Sequence, residues 1–307
     1  MIRQIAILLL SGVVVLMTGW ARAETLNVSL VLSDSSPPYR QFAESFNKSL
    51  TATKADVAVV ESHEAGSATH ADLIVAVGMK AMEMTVAQNG APVLAVMIPD
   101  NGYQELMAKV LRQKPARLIS AIYMNQPWDR QLAFLRAAFP ERRKIGLLHS
   151  PGTRIDIAGL SKQIATHGGS LIAQPVQSTE KLFPSLESVL EKSDLLLAIP
   201  DSAIYNSGSI RNILLTSYRK SVPLVGLSQS YVNAGALCAV FSTTEQMAEQ
   251  AGVTVASFSQ NRQLPAPQYP ADFTVLMNQQ VARSMGIELP LPEKVLSQMG
   301  RAGKRER

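Results

Sequence analysis

Cysteine, aromatic residues and long apolar runs are all scarce in this sequence, and each shortage closes off a class of protein. One residue of 307 is a cysteine, Cys238. A lone thiol cannot close an intrachain disulfide, so the chain is not a disulfide-stapled scaffold. Cys238 also lies far from the amino terminus, which excludes it as the lipid-bearing residue of a bacterial lipoprotein. Aromatic residues make up 6% of the chain, and Lys and Arg (29) exceed Asp and Glu (24) without gathering into a stripe. A nucleic-acid surface combines a basic patch with interleaved aromatics, so no nucleic-acid partner is expected. Beyond the amino terminus no apolar run approaches the roughly 20 residues of a membrane-spanning helix. G-x-G-x-x-G and the P-loop are both absent, and nothing in the sequence calls for a cofactor.

What is present begins with an export leader. Arg3 supplies a short positive region, Ile5–Leu16 is largely apolar, and Ala21-Arg22-Ala23 has the small-x-small form of a cleavage site. A signal peptide is therefore expected over 1–23, with cleavage before Glu24. The mature chain is then exported and soluble, with no direct membrane span, and is retained in a periplasm. With 47% hydrophobic residues it is long enough to bury a substantial core, and its length corresponds to about two domains. The last stretch, 296–307, ends in GRAGKRER and reads as a solvated basic tail.

The stretch Asp194–Ala236 carries the clearest architecture. Leu195–Ile199 is apolar and ends in Pro200-Asp201-Ser202. Ser207–Arg219 has helical spacing. Pro223–Leu227 is apolar and ends in Ser228-Gln229-Ser230-Tyr231. Apolar run, polar tip, amphipathic stretch, apolar run, polar tip is the order of a parallel βαβ unit. Loops beyond the carboxyl ends of such strands form the ligand crevice. Asp201, Ser202, Ser228 and Tyr231 are therefore candidate contacts, although Asp and Ser at these points serve equally as helix N-caps.

The same grammar runs through the chain. Strands are expected at Leu26–Leu32, Val57–Val60, Leu73–Val77, Val93–Ile98 and Leu118–Tyr123, with helices at Gln41–Leu50, Met79–Gln88 (stopped by Asn89-Gly90) and Tyr103–Leu111. The series restarts with helix Pro127–Ala138, strand Lys144–His149, helix Ile155–Thr166, strand Leu171–Val176 and helix Leu182–Glu191. After the βαβ unit come strand Leu237–Phe241, helix Glu245–Ser259, strand Phe273–Met277 and helix Gln279–Met285. Two successive βα series predict an α/β fold of two lobes. Polar strand ends from both lobes then line one cleft, a favoured place for a small-molecule ligand.

Particular residues carry a resemblance. Gln126-Pro127 with Arg130-Gln131 precedes a helix, followed by KIGLLHSP (Lys144–Pro151), AIPDS (Ala198–Ser202), VPLVGLS (Val222–Ser228) and YVNAGAL (Tyr231–Leu237). Asn278, Ala282, Gly286-Ile287 and Pro290 close the pattern. In this order and spacing the chain resembles the substrate-binding proteins of ABC transporters, in the branch with tryptophan- and tyrosine-binding members. The resemblance covers nearly all of the mature chain and is best after Ile122.

The resemblance implies a two-lobed periplasmic binding protein of type I-like fold. Each lobe would be a parallel sheet flanked by helices, hinged by crossover segments. The first lobe would hold 24–121 plus 245–269 and the second 122–244 plus 270–295. No enzymatic activity is implied. The implied partners are a small organic ligand, such as an amino acid, and an ABC permease of the inner membrane, with a membrane sensor as the alternative. The family's ligand loops map onto Ser33, Asp34 and Ser36, onto Gly78 and Met79, onto Ser150 and Thr153, onto Asp201 and Ser202, and onto Ser228 and Tyr231. Hydroxyls such as Ser33, Ser36, Ser150 and Thr153 suit a ligand carboxylate, Asp201 an ammonium, and Tyr39, Tyr231 or Trp128 an apolar body. The chain departs from the family after its third strand, where relatives carry a small hydroxyl residue and this sequence reads Gly78-Met79-Lys80. The Ser-Ser-Pro-Pro loop is a second departure in the same lobe.

Three short motifs do not add up to catalysis. Ser45-Phe46-Asn47-Lys48 matches S-x-x-K but falls in mid-helix and lacks the companion motifs of penicillin-recognising enzymes. Gly226-Leu227-Ser228-Gln229-Ser230 lacks the final glycine of a nucleophile elbow, and no histidine follows it. His63-Glu64 and His70 lack zinc-protease spacing.

Overall fold

The computed structural model describes residues 25–64, 70–88, 90–110 and 117–305. The expected leader with its cleavage point, the helix stop at Asn89, Leu111 and the last two residues of the chain lie outside the described residues.

Short runs of β-branched and aliphatic residues become strands because alternate side chains can be buried on opposite faces of a sheet. β1 (Leu26–Leu32), β2 (Val57–Ser62), β3 (Leu73–Val77), β4 (Val93–Ile98) and β5 (Ile119–Tyr123) form a five-stranded sheet in the order β2-β1-β3-β4-β5. Every pairing in it is parallel. α1 (Pro37–Thr53), α2 (Met79–Ala87) and α3 (Asp100–Val110) connect these strands. All of β3 is buried, as a parallel sheet covered on both faces requires.

α4 (Trp128–Ala138) leads into the second sheet. Its strands are β6 (Lys144–His149), β7 (Ser170–Pro175), β8 (Leu195–Leu197), β9 (Leu224–Gly226), β10 (Cys238–Phe241) and β11 (Thr274–Met277). The helices among them are α5 (Ile157–Thr166), α6 (Leu182–Leu190), α7 (Ile210–Arg219), α8 (Gln229–Asn233) and α9 (Thr244–Asn261). α10 (Gln279–Ser284) and α11 (Pro292–Arg305) follow β11. The order is β11-β10-β9-β8-β6-β7, parallel except for β11. Without β11 this repeats the first sheet: the lobe's first strand lies between its second and third. Each lobe therefore has a topological switch point, between β1 and β3 in one and between β6 and β8 in the other. Ligand crevices form at such points.

The first sheet has a core on each face. On one, Phe42, Phe46 and Leu50 of α1 pack with Ala248, Ala251 and Val255 of α9. Gly252 allows this approach, since a Cβ there would collide with the Ser49 side chain. On the other face, Met82 and Val86 of α2 pack with Tyr103 and Met107 of α3. α9 thus lies on the first lobe although it follows β10 of the second. A capping box starts it: Gln246 N donates to Thr243 Oγ1 and Thr243 N to Gln246 Oε1.

The chain crosses between the sheets on three segments, which are clasped together. Gln126 Nε2 donates to Ser242 Oγ at 2.9 Å, and that hydroxyl donates to the Asp272 carbonyl. Arg130 Nη1 donates to the Pro270 carbonyl at 2.8 Å and to Gln126 Oε1. The Arg130 guanidinium lies 4.5 Å from the Phe273 ring centre. Gln126 and Arg130 are among the residues that carried the resemblance, and they tie the crossing segments to one another.

The structure differs from expectation at several element boundaries; α1, for one, starts at Pro37 and not at Gln41. β5 ends at Tyr123 as expected, and Ile122 within it bridges Gln268. α7 starts at Ile210 instead of Ser207, because Ser209 Oγ bonds back to the carbonyls of Ile204 and Asn206 and holds a turn. The stretch expected as a basic tail is helical as far as Arg305. Residues up to Arg305 belong to α11, which buries Val295 and Met299 one helical turn apart in the second-lobe core.

Candidate functional site

At both switch points a side chain from one strand-end loop is bonded across to the other loop. In the first lobe Ser33, just past β1, is buried. Its hydroxyl donates to the Val77 carbonyl at 2.9 Å and accepts the Ala81 N–H at 3.0 Å. Gly78 lies beside it with φ of 89°. A Cβ on Gly78 would meet Ser33 Oγ, and Tyr39 Oη at 2.6 Å. The Tyr39 side chain thus lies close over Gly78. Asp34 Oδ1 accepts the Ser36 N–H at 2.7 Å, and the hydroxyl and N–H of Ser36 hold the Asp34 carboxyl below the usual carboxylate range. Met79 turns toward Gly102, its sulfur 3.0 Å from where a Gly102 Cβ would stand.

In the second lobe Asp201 plays the part of Ser33. Only 6% exposed, it accepts the Ser150 N–H through Oδ2 at 2.6 Å, and the same oxygen accepts the Thr153 hydroxyl. Oδ1 accepts the Ala203 N–H at 3.1 Å. A carboxylate buried among three donors is stabilised by them. The bonds also hold the loops after β6 and β8 at a fixed separation. Tyr205 is buried beside them, its hydroxyl next to the Leu148 backbone. Burial, with Tyr231 and Asp201 nearby, pushes its phenol well above the ordinary range. Tyr231 is half-buried over Gly226, where a Cβ would strike its side chain.

Above these loops a cavity of about 490 Å³ opens between the lobes. The second lobe contributes Ser150, Gly152, Thr153 and Arg154 after β6, Pro200–Ala203 and Tyr205 after β8, and Leu227, Ser228 and Tyr231 after β9. The first lobe contributes Pro99, Asn101, Gly102 and Glu105 after β4, and Met124 after β5. Asn101 Nδ2 reaches across to the Pro200 carbonyl at 3.4 Å. Another cavity, of about 210 Å³, lies between α4 and α5 near the opposite end of β6 and belongs to the second lobe alone.

A family model for ABC transporter substrate binding proteins matches residues 45–302. The chain belongs to this family. Solved structures share the fold of this substrate-binding protein at low identity. A substrate-binding protein with adhesive properties from Clostridium difficile, in its ligand-free open form, has a TM-score of 0.68 and 14% identity, over 88% of this chain and 97% of that one. A domain from Streptococcus pneumonia in complex with L-Trp has a TM-score of 0.62 and 16% identity, over 90% and 98%. A conserved domain protein from Vibrio cholerae has a TM-score of 0.60 and 18% identity, over 90% and 98%. No curated protein sequence matches the chain. The two-lobed α/β architecture is that of a type I periplasmic binding protein. No helix among the described residues is long and apolar enough to cross a membrane.

Six of the residues singled out from the sequence line the interlobe cavity of this substrate-binding protein: Ser150, Thr153, Asp201, Ser202, Ser228 and Tyr231. Ser33, Asp34, Ser36, Gly78 and Met79 lie outside its lining. Trp128 packs against the second-lobe core. Asn101, Gly102, Glu105, Met124, Arg154 and Tyr205 were missed. Pro99-Asp100-Asn101-Gly102 had a signal, as a polar tip after a strand. Glu105 and Arg154 had none beyond being charged and close to such tips.

Proposed function

We propose that this protein is the solute-binding component of an uptake system and holds a small organic ligand between its lobes. The observation that carries this reading is the cavity lined from both lobes, large enough for a metabolite of amino-acid size. A ligand that touches Asn101, Gly102 and Met124 on one side and Thr153, Arg154 and Tyr231 on the other makes its full set of contacts only when the lobes are closed. It therefore shifts the population toward the closed form. The clasp of Gln126, Arg130 and Ser242 leaves the lobes joined while they move. The closed form presents both lobes to a membrane permease, with the export leader placing the protein in the periplasm.

Ligand capture tests the reading. The mature protein is partly unfolded, dialysed, refolded and incubated with a small-molecule extract, and retained species are identified by mass spectrometry. A species retained by the native protein but not by Ser228→Trp, which fills the cavity, supports it. Retention of none, or equal retention by both, contradicts it.

A further inference from the structure

We propose that the cleft selects small organic acids: a carboxylate head on an apolar body, without an ammonium group. This rests on the cleft being the ligand site, and it narrows what enters.

The argument is a balance of donors and acceptors. An ammonium must find an acceptor, and the two carboxylates and the side-chain amide of the lining each already take a donor. Asp201 takes N–H groups from Ser150 and Ala203 and the Thr153 hydroxyl. Asn101 Oδ1 takes the Gly102 N–H at 2.8 Å. Glu105 takes Lys109 Nζ at 2.8 Å. A ligand ammonium would have to displace one of these donors.

Donors, in contrast, stand open. Arg154 projects from the loop after β6 into the lining, makes no hydrogen bond or ion pair with any described residue, and acts on the Glu105 carboxylate through its charge alone. The hydroxyls of Ser202 and Ser228 likewise make none within the described residues. A guanidinium with its fork of N–H groups is suited to a carboxylate. Leu227, Tyr231 and Met124 supply apolar surface for the rest of the molecule. The rival arrangement has Glu105 leave Lys109 and accept an ammonium, in which case an amino acid binds better than its deaminated counterpart.

Titration calorimetry with matched pairs separates the two. The probes are phenylpropanoate against phenylalanine, indolepropanoate against tryptophan, and isocaproate against leucine, each pair differing only in the amino group. At least one acid is expected to bind roughly tenfold or more tightly than its amino acid. Arg154→Gln should weaken that binding roughly tenfold to a hundredfold, and Arg154→Lys should restore part of it. Arg154 is exposed, so an unchanged unfolding midpoint verifies that the variants fold. A tighter amino acid in every pair, or acid binding indifferent to Arg154→Gln, overturns the inference. Binding of amino acids or neutral polyols but of no acid also overturns it and leaves the proposed function standing. Binding of no small molecule at all sinks both.

Discussion

The carboxylate of Asp201, on the loop after β8, accepts the backbone N–H of Ser150, on the loop after β6, at 2.6 Å. This bond spans the switch point of the second lobe and makes Asp201 a part of the cleft wall. In the first lobe Ser33 performs the same task with a hydroxyl, and Tyr39 lies close over Gly78.

Asp201→Ala should therefore destabilise the fold as well as disturb the cleft. It leaves the Ser150 and Ala203 N–H groups and the Thr153 hydroxyl short of an acceptor, at a cost of about 2–3 kcal/mol. Urea unfolding measures this. A variant of native stability would show that the carboxylate does not hold the loops.

Gly78→Ala should be worse tolerated than an ordinary loop substitution. The new Cβ meets Ser33 Oγ and Tyr39 Oη at a backbone φ of 89° that side chains disfavour. A loss of about 1–3 kcal/mol is expected in the same unfolding experiment. Tyr39→Phe in the Gly78→Ala background should recover only part of it, since the φ strain remains.

At the crossing segments, Arg130→Ala removes the bonds to Pro270 and Gln126 and the contact with Phe273. The expected loss is about 2–3 kcal/mol, with faster hydrogen exchange in the crossing segments than in either sheet. Exchange unchanged at 268–273 would contradict the clasp.

Alkaline pH should unfold the protein. Burial, together with Tyr123, raises the Tyr103 phenol from its ordinary 10.0 to about 12. Burial raises Tyr123, Tyr205, Tyr231 and Tyr269 as well, and Tyr269 also donates to Asp100 Oδ2 at 2.6 Å. A phenol with a raised folded pKa ionises first in the unfolded chain. Its contribution is thus complete below pH 10 and is lost as pH climbs toward 12. Tyrosinate absorbance followed with denaturant midpoints from pH 8 upward tests this, and a flat stability profile through that range would refute it.

Much of the fold is legible in the sequence because parallel strands buried on both faces read as uninterrupted apolar runs. Leu73–Val77 and Val93–Ile98 agree with β3 and β4 residue for residue. α11 is not legible, because only Val295 and Met299 mark its buried stripe among charged neighbours and the run of Arg and Lys after them suggests a frayed end. Second-lobe loops could be placed over the cavity from their strand ends alone. The first-lobe loops could not: whether Ser33 faces a ligand or closes its own loop depends on the hydrogen bonds it makes to Val77 and Ala81, and these have no one-dimensional pattern. Glu105 and Arg154 come together only through the relative placement of two lobes, which short-range spacing does not encode.

The central claim, that a small molecule binds between the lobes, is tested most directly by thermal unfolding of the ligand-stripped mature chain against a panel of organic acids, amino acids and polyols. The account predicts at least one compound that, at about 100 times its dissociation constant, raises the midpoint by about 5 °C, and no such rise in Ser228→Trp. A panel without any shift, or a shift that survives in Ser228→Trp, would contradict it.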